Sequence, residues 1–264
     1  MLVLGPENVL IDSGGCAGTV DDTLLPALAA LGITLTDIHW LALTHAHGDH
    51  VGGAARLRAL SPKLRVAAFI RSAERIADPL AYSRRIRERF PSHSPPPPAE
   101  LTGVQPDLLL PDGGAVGPLR LLHTPGHDTD SCSYLDERTR TLITGDSLQL
   151  NGTVSQGCAL LMDVGSYKAT LERLIAMPVG HLVCGHPYLP LGAGADGPEA
   201  VRQYLTACLG CFEHDRGFVS GMAAAGETDP AVIARALIRS VGGREPKHLF
   251  LPLYTVTGYL QAFG

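Results

Sequence analysis

Short apolar runs alternate with amphipathic stretches through the first third of the chain. Runs of this length predict buried strands, and apolar positions spaced three to four residues apart predict helices. The pattern predicts strands at residues 2–4, 8–11, 38–43 and 65–70, and helices at 21–31, 54–60 and 71–76. Gly5 and Pro6 predict a hairpin turn between the first two strands. The strand–helix alternation that follows predicts parallel βαβ units, and so an α/β fold class.

The second half of the chain repeats this alternation and then becomes helical. We predict strands at residues 119–123, 131–136, 141–144 and 182–184, and helices at 166–176, 199–212, 229–240 and 253–263. Ser166 is a suitable N-cap for the first of these helices. The glycine-rich stretch 192–198 predicts a flexible loop. The pattern as a whole is two α/β halves followed by a helical tail.

The densest group of chemically active side chains follows the predicted strand 38–43. It reads Thr44-His45-Ala46-His47-Gly48-Asp49-His50. Ligand sites form at the carboxyl ends of strands in α/β sheets, and imidazole with carboxylate suits zinc or iron. His45 and His47 would share one side of an extended segment, and Gly48 allows a turn before the next two ligands. We therefore predict a loop that offers two ligand pairs in different directions, which suits two metal ions better than one.

This stretch resembles the H-x-H-x-D-H signature of the metallo-β-lactamase superfamily. Four further motifs occur in the order that the family has, one before this stretch and three after it: Asp12 in Leu10-Ile11-Asp12-Ser13-Gly14, His127 in Thr124-Pro125-Gly126-His127, Asp146 in Thr144-Gly145-Asp146, and His186 in Cys184-Gly185-His186. Each motif is weak alone, and the ordered set is specific. The resemblance implies a four-layer αββα sandwich with metals at the edge between the sheets. We divide the chain into a catalytic domain at 1–198 and a helical C-terminal extension at 199–264 that packs on it.

The resemblance also implies roles for individual residues. His45, His47 and His127 would hold one metal, Asp49, His50 and His186 the second, and Asp146 would bridge both. The expected cofactor is two divalent ions, Zn²⁺ first, with Fe or Mn also possible. A bridging hydroxide would attack the substrate, with Asp49 orienting it, and Asp12 would orient a ligand loop. Tyr167 and Tyr188 follow ligand motifs and could reach the substrate, or they could be core residues.

Residues 78–117 differ in composition from their surroundings. They contain an arginine cluster, Arg84-Arg85-Ile86-Arg87-Glu88-Arg89, and the proline run 95–98, which is stiff and extended. Because ligand motifs lie on both sides, we interpret the segment as a lid-like surface insertion that overhangs the metal site, and not as a linker. Arg84 and Arg85 are open to two interpretations, a solvated helix face or recognition of an anionic group on the substrate.

Three hydrolase functions are compatible with these motifs. The chain is most similar to lactonase- and thioesterase-type members, which predicts a small ester-type substrate. The alternative is a phosphodiesterase or ribonuclease, because the segment 146–186 followed by helices also resembles ribonuclease-like members. That activity needs a positive groove, and only residues 84–89 offer one. β-Lactamase activity is the third and weakest prediction, because such enzymes are usually exported and we see no secretory signal in this sequence. A non-enzymatic scaffold would have lost ligands, and all seven are present.

Composition narrows the expected partners. The 264 residues carry a formal net charge of −5, which argues for a small-molecule substrate and against nucleic acid or an anionic membrane. Residues 1–5 lack a secretory pattern, and the six cysteines are scattered, so we expect reduced thiols in the cytoplasm. Cys208 and Cys211 form a CxxC inside a predicted helix, where packing explains them better than redox chemistry. The short first sheet predicts an exposed edge that a homodimer would cover.

Overall fold

The computed structural model describes residues 1–263, which fall into two compact units. Unit 1 comprises residues 1–89, 96–123 and 132–138, and unit 2 comprises residues 90–95, 124–131 and the chain from Thr139 onward. The division of the chain at residue 198 stays a prediction. None of the helices in the described part combines the length and the apolar character that a bilayer span requires.

Unit 1 holds eight strands and the shorter helices. Its strands are β1 Leu2–Val3, β2 Asn8–Ile11, β3 Ile38–Leu43, β4 Arg65–Phe69, β5 Leu108–Leu110, β6 Ala115–Val116, β7 Leu119–His123 and β8 Cys132–Asp136. Its α-helices are α1 Ala17–Thr19, α2 Leu25–Ala30, α3 Gly48–Val51, α4 Ala54–Leu60, α5 Ala73–Ala77 and α6 Pro79–Glu88. A π-helical turn, Val20–Leu24, joins α1 to α2, and 3₁₀ turns cover Leu35–Asp37 and Ile70–Ser72.

Five strands form one sheet in the order β1-β2-β3-β4-β5. β1 and β2 are the predicted hairpin, with Leu2 opposite Leu10. The strands from β2 to β5 are parallel, and Leu41 in β3 aligns with Leu10 and Val66. Leu41 is fully buried, as is typical of the central strands of a parallel sheet, whose two faces are usually both covered. The predicted βαβ organisation is therefore confirmed in this unit.

The strands β6, β7 and β8 form an antiparallel meander. The Tyr134 hydroxyl on β8 donates to the Leu43 carbonyl at 3.0 Å. The Cys132 N–H donates to the Thr44 carbonyl at 2.9 Å. Both bonds hold the chain where β3 ends, so they fix the point from which the histidine-rich stretch departs.

The predicted insertion 78–117 contains more regular structure than a surface loop. Asp78 caps α6, because its side chain accepts the Ala81 N–H at 3.0 Å. The interpretation as an insertion is wrong for its last third. There, Leu108–Leu110 is the fifth strand of the sheet, with Leu109 aligned to Ala68 of β4. Leu110 is buried when this segment pairs with β4, so pairing removes an apolar side chain from solvent. The role of the remaining segment as a lid stays a prediction.

Unit 2 contains the remaining strands and the long helices. They are β9 Thr141–Ile143, β10 His181–Tyr188, β11 Gly192–Asp196, α7 Val164–Ile175, α8 Pro198–Ala224, α9 Pro230–Ser240 and α10 Phe250–Phe263. β9 and β10 are parallel and β10 and β11 antiparallel. Two predictions are wrong here. The expected loop 192–198 is largely β11, and the N-cap of α7 is Asp163, whose carboxylate accepts the Ser166 N–H at 3.3 Å.

The helical tail is confirmed, and its last helix contacts the loop before α7. The Thr255 hydroxyl on α10 accepts the Leu161 N–H at 2.9 Å and donates to the Ala159 carbonyl at 2.7 Å. These bonds hold the backbone on both sides of Leu160. Cys208 lies buried inside α8 and is a free thiol, as expected for a packing residue.

Candidate metal centre

The first ligand cluster lies in unit 1 and comprises Asp12, His45, His47, Asp49 and His50. His47 is the extended N-cap of α3, so Asp49 and His50 lie in a short helix and not in the predicted open loop. Backbone packing holds this helix in place. A Cβ atom on Gly52, which follows α3, would lie 2.0 Å from the Gly15 carbonyl oxygen, so only glycine fits there.

Asp12 connects the two ends of this cluster. Its φ of +59° is the left-handed conformation, which is unusual outside glycine and marks a position held by its surroundings. The carboxylate accepts the Thr44 N–H at 2.9 Å and the Thr44 hydroxyl at 2.9 Å. It also lies 2.7 Å from Nδ1 of His50. Asp12 therefore contacts one imidazole directly and reaches a second through Thr44.

These contacts set the tautomers of two histidines. The Thr44 hydroxyl gives its single proton to Asp12, so it must accept from Nδ1 of His45, which is 3.0 Å away. Nδ1 of His50 likewise donates to the carboxylate. With hydrogen on Nδ1, each ring presents the lone pair of Nε2 as the ligating atom. A carboxylate or carbonyl that holds the opposite ring nitrogen is the usual support of metal-binding histidines.

The candidate ligands of the first cluster are close together. The His45 ring lies 4.7 Å from that of His47 and 4.2 Å from that of His50, measured between centroids. His45 and His50 are buried, His47 is half-buried and Asp49 is exposed. Oδ2 of Asp49 lies 3.9 Å from Nε2 of His50. Spacing along the sequence predicted that residues 45–50 offer two pairs of ligands, whereas the assignment of these residues to two metal ions came from the family resemblance and stays a prediction.

The second ligand cluster lies in unit 2 and is centred on Asp146, which follows β9. Its Oδ2 lies 3.6 Å from Nε2 of His127 and 3.5 Å from Nε2 of His186. Both distances exceed those of ordinary hydrogen bonds. Two atoms that share a tetrahedral zinc ion at the usual bond lengths are ~3.3–3.4 Å apart. Oδ2 of Asp146 is therefore spaced from each of the two imidazoles as two ligands of one metal ion are.

Main-chain atoms and an amide orient the second cluster. The Leu160 carbonyl lies 3.1 Å from Nδ1 of His127 and can only accept, so that nitrogen carries hydrogen and Nε2 is left to bind a metal. The sequence analysis missed Gln149, which contacts residues of this cluster. Its amide nitrogen donates to the Asp146 carbonyl at 2.7 Å, and its amide oxygen accepts the Leu160 N–H at 3.1 Å. The one available signal was its position three residues after Asp146.

Tyr167 and Tyr188 are core residues in this structure. The Tyr188 hydroxyl accepts from the Gln149 side chain at 3.0 Å, and the Tyr167 hydroxyl accepts the Gln149 N–H at 3.1 Å. Burial raises the pKa of both phenols well above the usual value. Gly126 lies against Tyr167, where an added Cβ would be 2.2 Å from the ring. The structure thus supports the core interpretation, and contact of either tyrosine with substrate stays a prediction.

The segment 78–117 borders the first cluster within unit 1. A Cβ on Gly48 would lie 3.3 Å from Leu101. The Tyr82 ring of α6 stacks on His47, with centroids 5.9 Å apart and planes 10° apart. Arg84 and Arg85 are both exposed on this helix, and of these two only Arg85 is seen over the Tyr82 ring.

The donor set of the two clusters suits divalent metal ions. It consists of imidazoles that present Nε2 and of carboxylates, with no thiolate among them. Nitrogen and oxygen donors of this kind bind zinc, iron and manganese. The residues present therefore fit the metals that the sequence motifs imply, and they leave the identity of the metal open.

Comparison with known proteins assigns these motifs to a family. The model of the metallo-beta-lactamase superfamily matches residues 1–186. The lactamase-like protein vrtG of Penicillium aethiopicum is 30% identical over 202 residues, which cover 76% of this chain and 53% of that protein. A hydroxyacylglutathione hydrolase of Rhodopseudomonas palustris strain BisA53 is 32% identical over 185 residues, 66% of this chain and 60% of that protein. The chain thus spans between about half and three fifths of these relatives.

A solved structure extends the likeness to nearly the whole chain. The metallo-beta-lactamase family protein TTHA1429 of Thermus thermophilus superposes with a TM-score of 0.72 at 22% identity, covering 98% of this chain and 87% of that one. At this identity the likeness shows the fold alone. It confirms the fold class predicted from the sequence, including the helices at the C-terminal end.

Proposed function

We propose that this chain, which belongs to the metallo-β-lactamase superfamily, hydrolyses a small ester-type substrate, a thioester or a lactone, with two divalent metal ions. The family and the relative named for hydrolysis make the chain a hydrolase. The proposed ligands are His45, His47 and His127 for one ion, and Asp49, His50, Asp146 and His186 for the other. We propose that Asp146 also binds the first ion, because its Oδ2 lies 3.6 Å from Nε2 of His127.

The observation that carries this proposal is the position of Asp146. Its Oδ2 lies 3.6 Å from Nε2 of His127 and 3.5 Å from Nε2 of His186, so in the proposed arrangement it would share an ion with each histidine. Asp146 is 4% exposed, and a carboxylate so deeply buried is stable only when cations or hydrogen bonds compensate its charge. Two metal ions supply that compensation.

The chain's own residues do the remaining work. When bound, a pair of divalent ions lowers the pKa of a shared water and polarises the acyl oxygen of the substrate. Asp12 and Leu160 hold imidazole rings in the ligating tautomer. Asp49 is the exposed member of the ligand set, so its second oxygen can accept a proton from water at the site.

Two observations favour acyl hydrolysis over cleavage of a phosphodiester. One relative is called a hydroxyacylglutathione hydrolase, a name that describes hydrolysis of an acyl compound. The chain also carries a net charge of −5, whereas binding to a nucleic acid backbone draws on many phosphate contacts. The ribonuclease and β-lactamase alternatives become outcomes of the test.

The test is a panel of four substrates at matched metal content: a thioester, a lactone, single-stranded RNA and a β-lactam. We expect hydrolysis of the thioester or the lactone, with little dependence on salt. Asp49→Ala should lower turnover by about 100-fold or more. Asp22→Ala, which alters another exposed aspartate in the same unit, is the control and should change little. RNA cleavage that falls steeply with salt, without acyl hydrolysis, would contradict the proposal.

A further inference from the structure

We propose that Tyr82 on α6 is a positioning residue for the metal centre, because its ring restrains the plane of the His47 imidazole. This inference rests on the proposed function, since the orientation of His47 matters to the reaction only if that side chain binds a metal ion. It deepens that function by adding a residue that belongs to none of the ligand motifs.

The rings of Tyr82 and His47 form an offset parallel stack. Their planes are 10° apart and their centroids 5.9 Å apart, and offset stacking is a geometry that aromatic pairs favour. Tyr82 is 4% exposed and belongs to the same buried core as Ala46 and Val51. Its ring cannot turn away from His47 without disturbing a close-packed core. The contact therefore restrains the half-buried imidazole.

Two arginines help to hold the Tyr82 ring in place. Cζ of Arg75 lies 4.7 Å from the ring centroid and Cζ of Arg85 lies 5.3 Å from it. Both distances are within the range of cation–π attraction. Arg75 comes from α5 and Arg85 from α6, the helix that carries Tyr82 itself. The ring that stacks on His47 is therefore held by contacts from two helices.

The stack acts on His47 in a different way from the hydrogen bonds that orient other candidate ligands. Hydrogen bonds at Nδ1 set the tautomers of His45 and His50. A stacked ring instead sets the direction of the imidazole plane. The planes of His45 and His47 are 76° apart, with centroids 4.7 Å apart. Because both are proposed ligands of one ion, a change in this angle would move the ligating nitrogen of His47 relative to that ion.

Unit 1 contains a second stack of a buried ring on a histidine, which supplies a matched control. The Phe69 and His123 rings are 4.6 Å apart between centroids, with planes 26° apart. Phe69 is 4% exposed, as Tyr82 is. His123 belongs to neither group of candidate ligands in the part of the chain that the structure describes. Phe69→Leu therefore removes a comparable buried ring at a histidine that is not a proposed ligand.

NMR of the imidazole rings tests the contact whether or not metal is bound, so it separates this inference from the proposed function. In the purified wild-type chain we expect the ring current of Tyr82 to displace the ring signals of His47. The displacement should persist in Tyr82→Phe, which keeps the stack, and disappear in Tyr82→Leu. Phe69→Leu should leave the His47 signals in place. His47 signals that are the same in Tyr82→Leu and in the wild type would overturn the inference.

Titration with Co²⁺ against a chromophoric chelator tests the consequence for the metal centre. In Tyr82→Leu, the affinity for one of the two ions should fall about fivefold, and the d–d absorption of the bound Co²⁺ should change. Tyr82→Phe and Phe69→Leu should keep the wild-type affinity within about twofold. Circular dichroism checks the fold of each variant. Equal losses in Tyr82→Leu and Phe69→Leu would indicate a general loss of core packing and overturn the positioning role. A wild type that binds no Co²⁺ would contradict the proposed function, whereas the NMR result stands by itself.

Discussion

The two ligand clusters orient their histidines by different means. In unit 1 a carboxylate, Asp12, binds His50 directly and His45 through Thr44. In unit 2 a main-chain carbonyl, that of Leu160, binds His127. A charge-assisted bond is about twice as strong as a neutral one. The orientation of His45 and His50 thus depends on the side chain of Asp12. The orientation of His127 depends on the backbone of the loop that contains Leu160.

This difference has a consequence for the helical tail. The Leu160 carbonyl is useful only where the loop presents it, and Thr255 of α10 holds both flanking residues. Gln149 holds the Leu160 N–H from the other side. We therefore expect the last helix to support His127, a proposed ligand that lies more than a hundred residues earlier in the chain. Substitutions that remove these supports should differ in their effect on the metal centre.

Removal of the Asp12 carboxylate should have the largest effect. Asn adopts the left-handed backbone conformation of this residue, so Asp12→Asn tests the charge and not the backbone. Metal affinity should fall about 10- to 100-fold because two imidazoles lose their support. Competition with a chromophoric chelator measures the affinity, and circular dichroism checks the fold. Unchanged affinity in a folded Asp12→Asn protein would contradict the role of Asp12.

Gln149→Leu should have the second largest effect. It removes an amide that satisfies the Asp146 carbonyl and the Leu160 N–H in a buried site. Turnover should fall about tenfold, and unfolding free energy by about 2–4 kcal/mol. Urea unfolding measures the unfolding free energy, and steady-state kinetics on the most rapidly hydrolysed substrate of the panel measure turnover. Loss of stability with unchanged kinetics would mean that the amide supports the core and not the ligands.

The candidate ligands of both clusters were readable from sequence motifs, but the groups that support the second cluster were not. His45 through His50 follow a strand with a fixed spacing, and Asp12 belongs to a motif, so local pattern was sufficient. The support of His127 comes from a carbonyl, which every residue has, and from Gln149, which no motif marks. Contacts made by main-chain atoms cannot be predicted from the type of residue, because every residue has the same carbonyl group.

The same distinction explains the errors in the fold. Strands such as β3 and helices such as α4 were predicted with their bounds, because apolar periodicity specifies them. β11 was mistaken for a loop because glycine alternates with alanine along Gly192–Asp196, and only pairing with β10 makes that stretch a strand. The stacking of Tyr82 on His47 likewise arises from tertiary packing, which spacing along the chain does not encode.

Thr255→Val tests the support from α10 and should have a smaller effect. The two side chains have nearly the same shape, but valine lacks the bonds to Ala159 and Leu161. Unfolding free energy should fall by about 1–3 kcal/mol, and metal affinity by a few fold. Thr257→Val is the matched control, because Thr257 bonds only within α10 in the contacts described, at 2.6 Å to Leu253. Equal losses in both variants would contradict the support.

Asp215→Asn should affect stability and leave the metal centre unchanged. Asp215 also contacts a histidine, His214, at 3.0 Å, but burial raises its pKa from the ordinary 3.8 to about 6. Because the pKa of Asp215 is higher in the folded protein than in the unfolded chain, its protonated carboxyl group favours the folded state. This contribution to the unfolding free energy is fully present below about pH 4 and is lost as pH rises through about 6. Asp215→Asn should therefore gain up to about 3 kcal/mol relative to wild type between pH 4 and 8. Urea unfolding at both pH values measures the change, and a gap that does not vary with pH would contradict it.

The metal content of the purified, metal-replete protein decides whether the two ligand clusters act as one binuclear centre. If they together hold two ions with Asp146 shared between them, elemental analysis should give about two transition-metal equivalents per chain. Asp146→Ala should reduce occupancy of both positions, because it removes the shared ligand. A value near zero after reconstitution and dialysis, or two equivalents retained in Asp146→Ala, would contradict the binuclear centre.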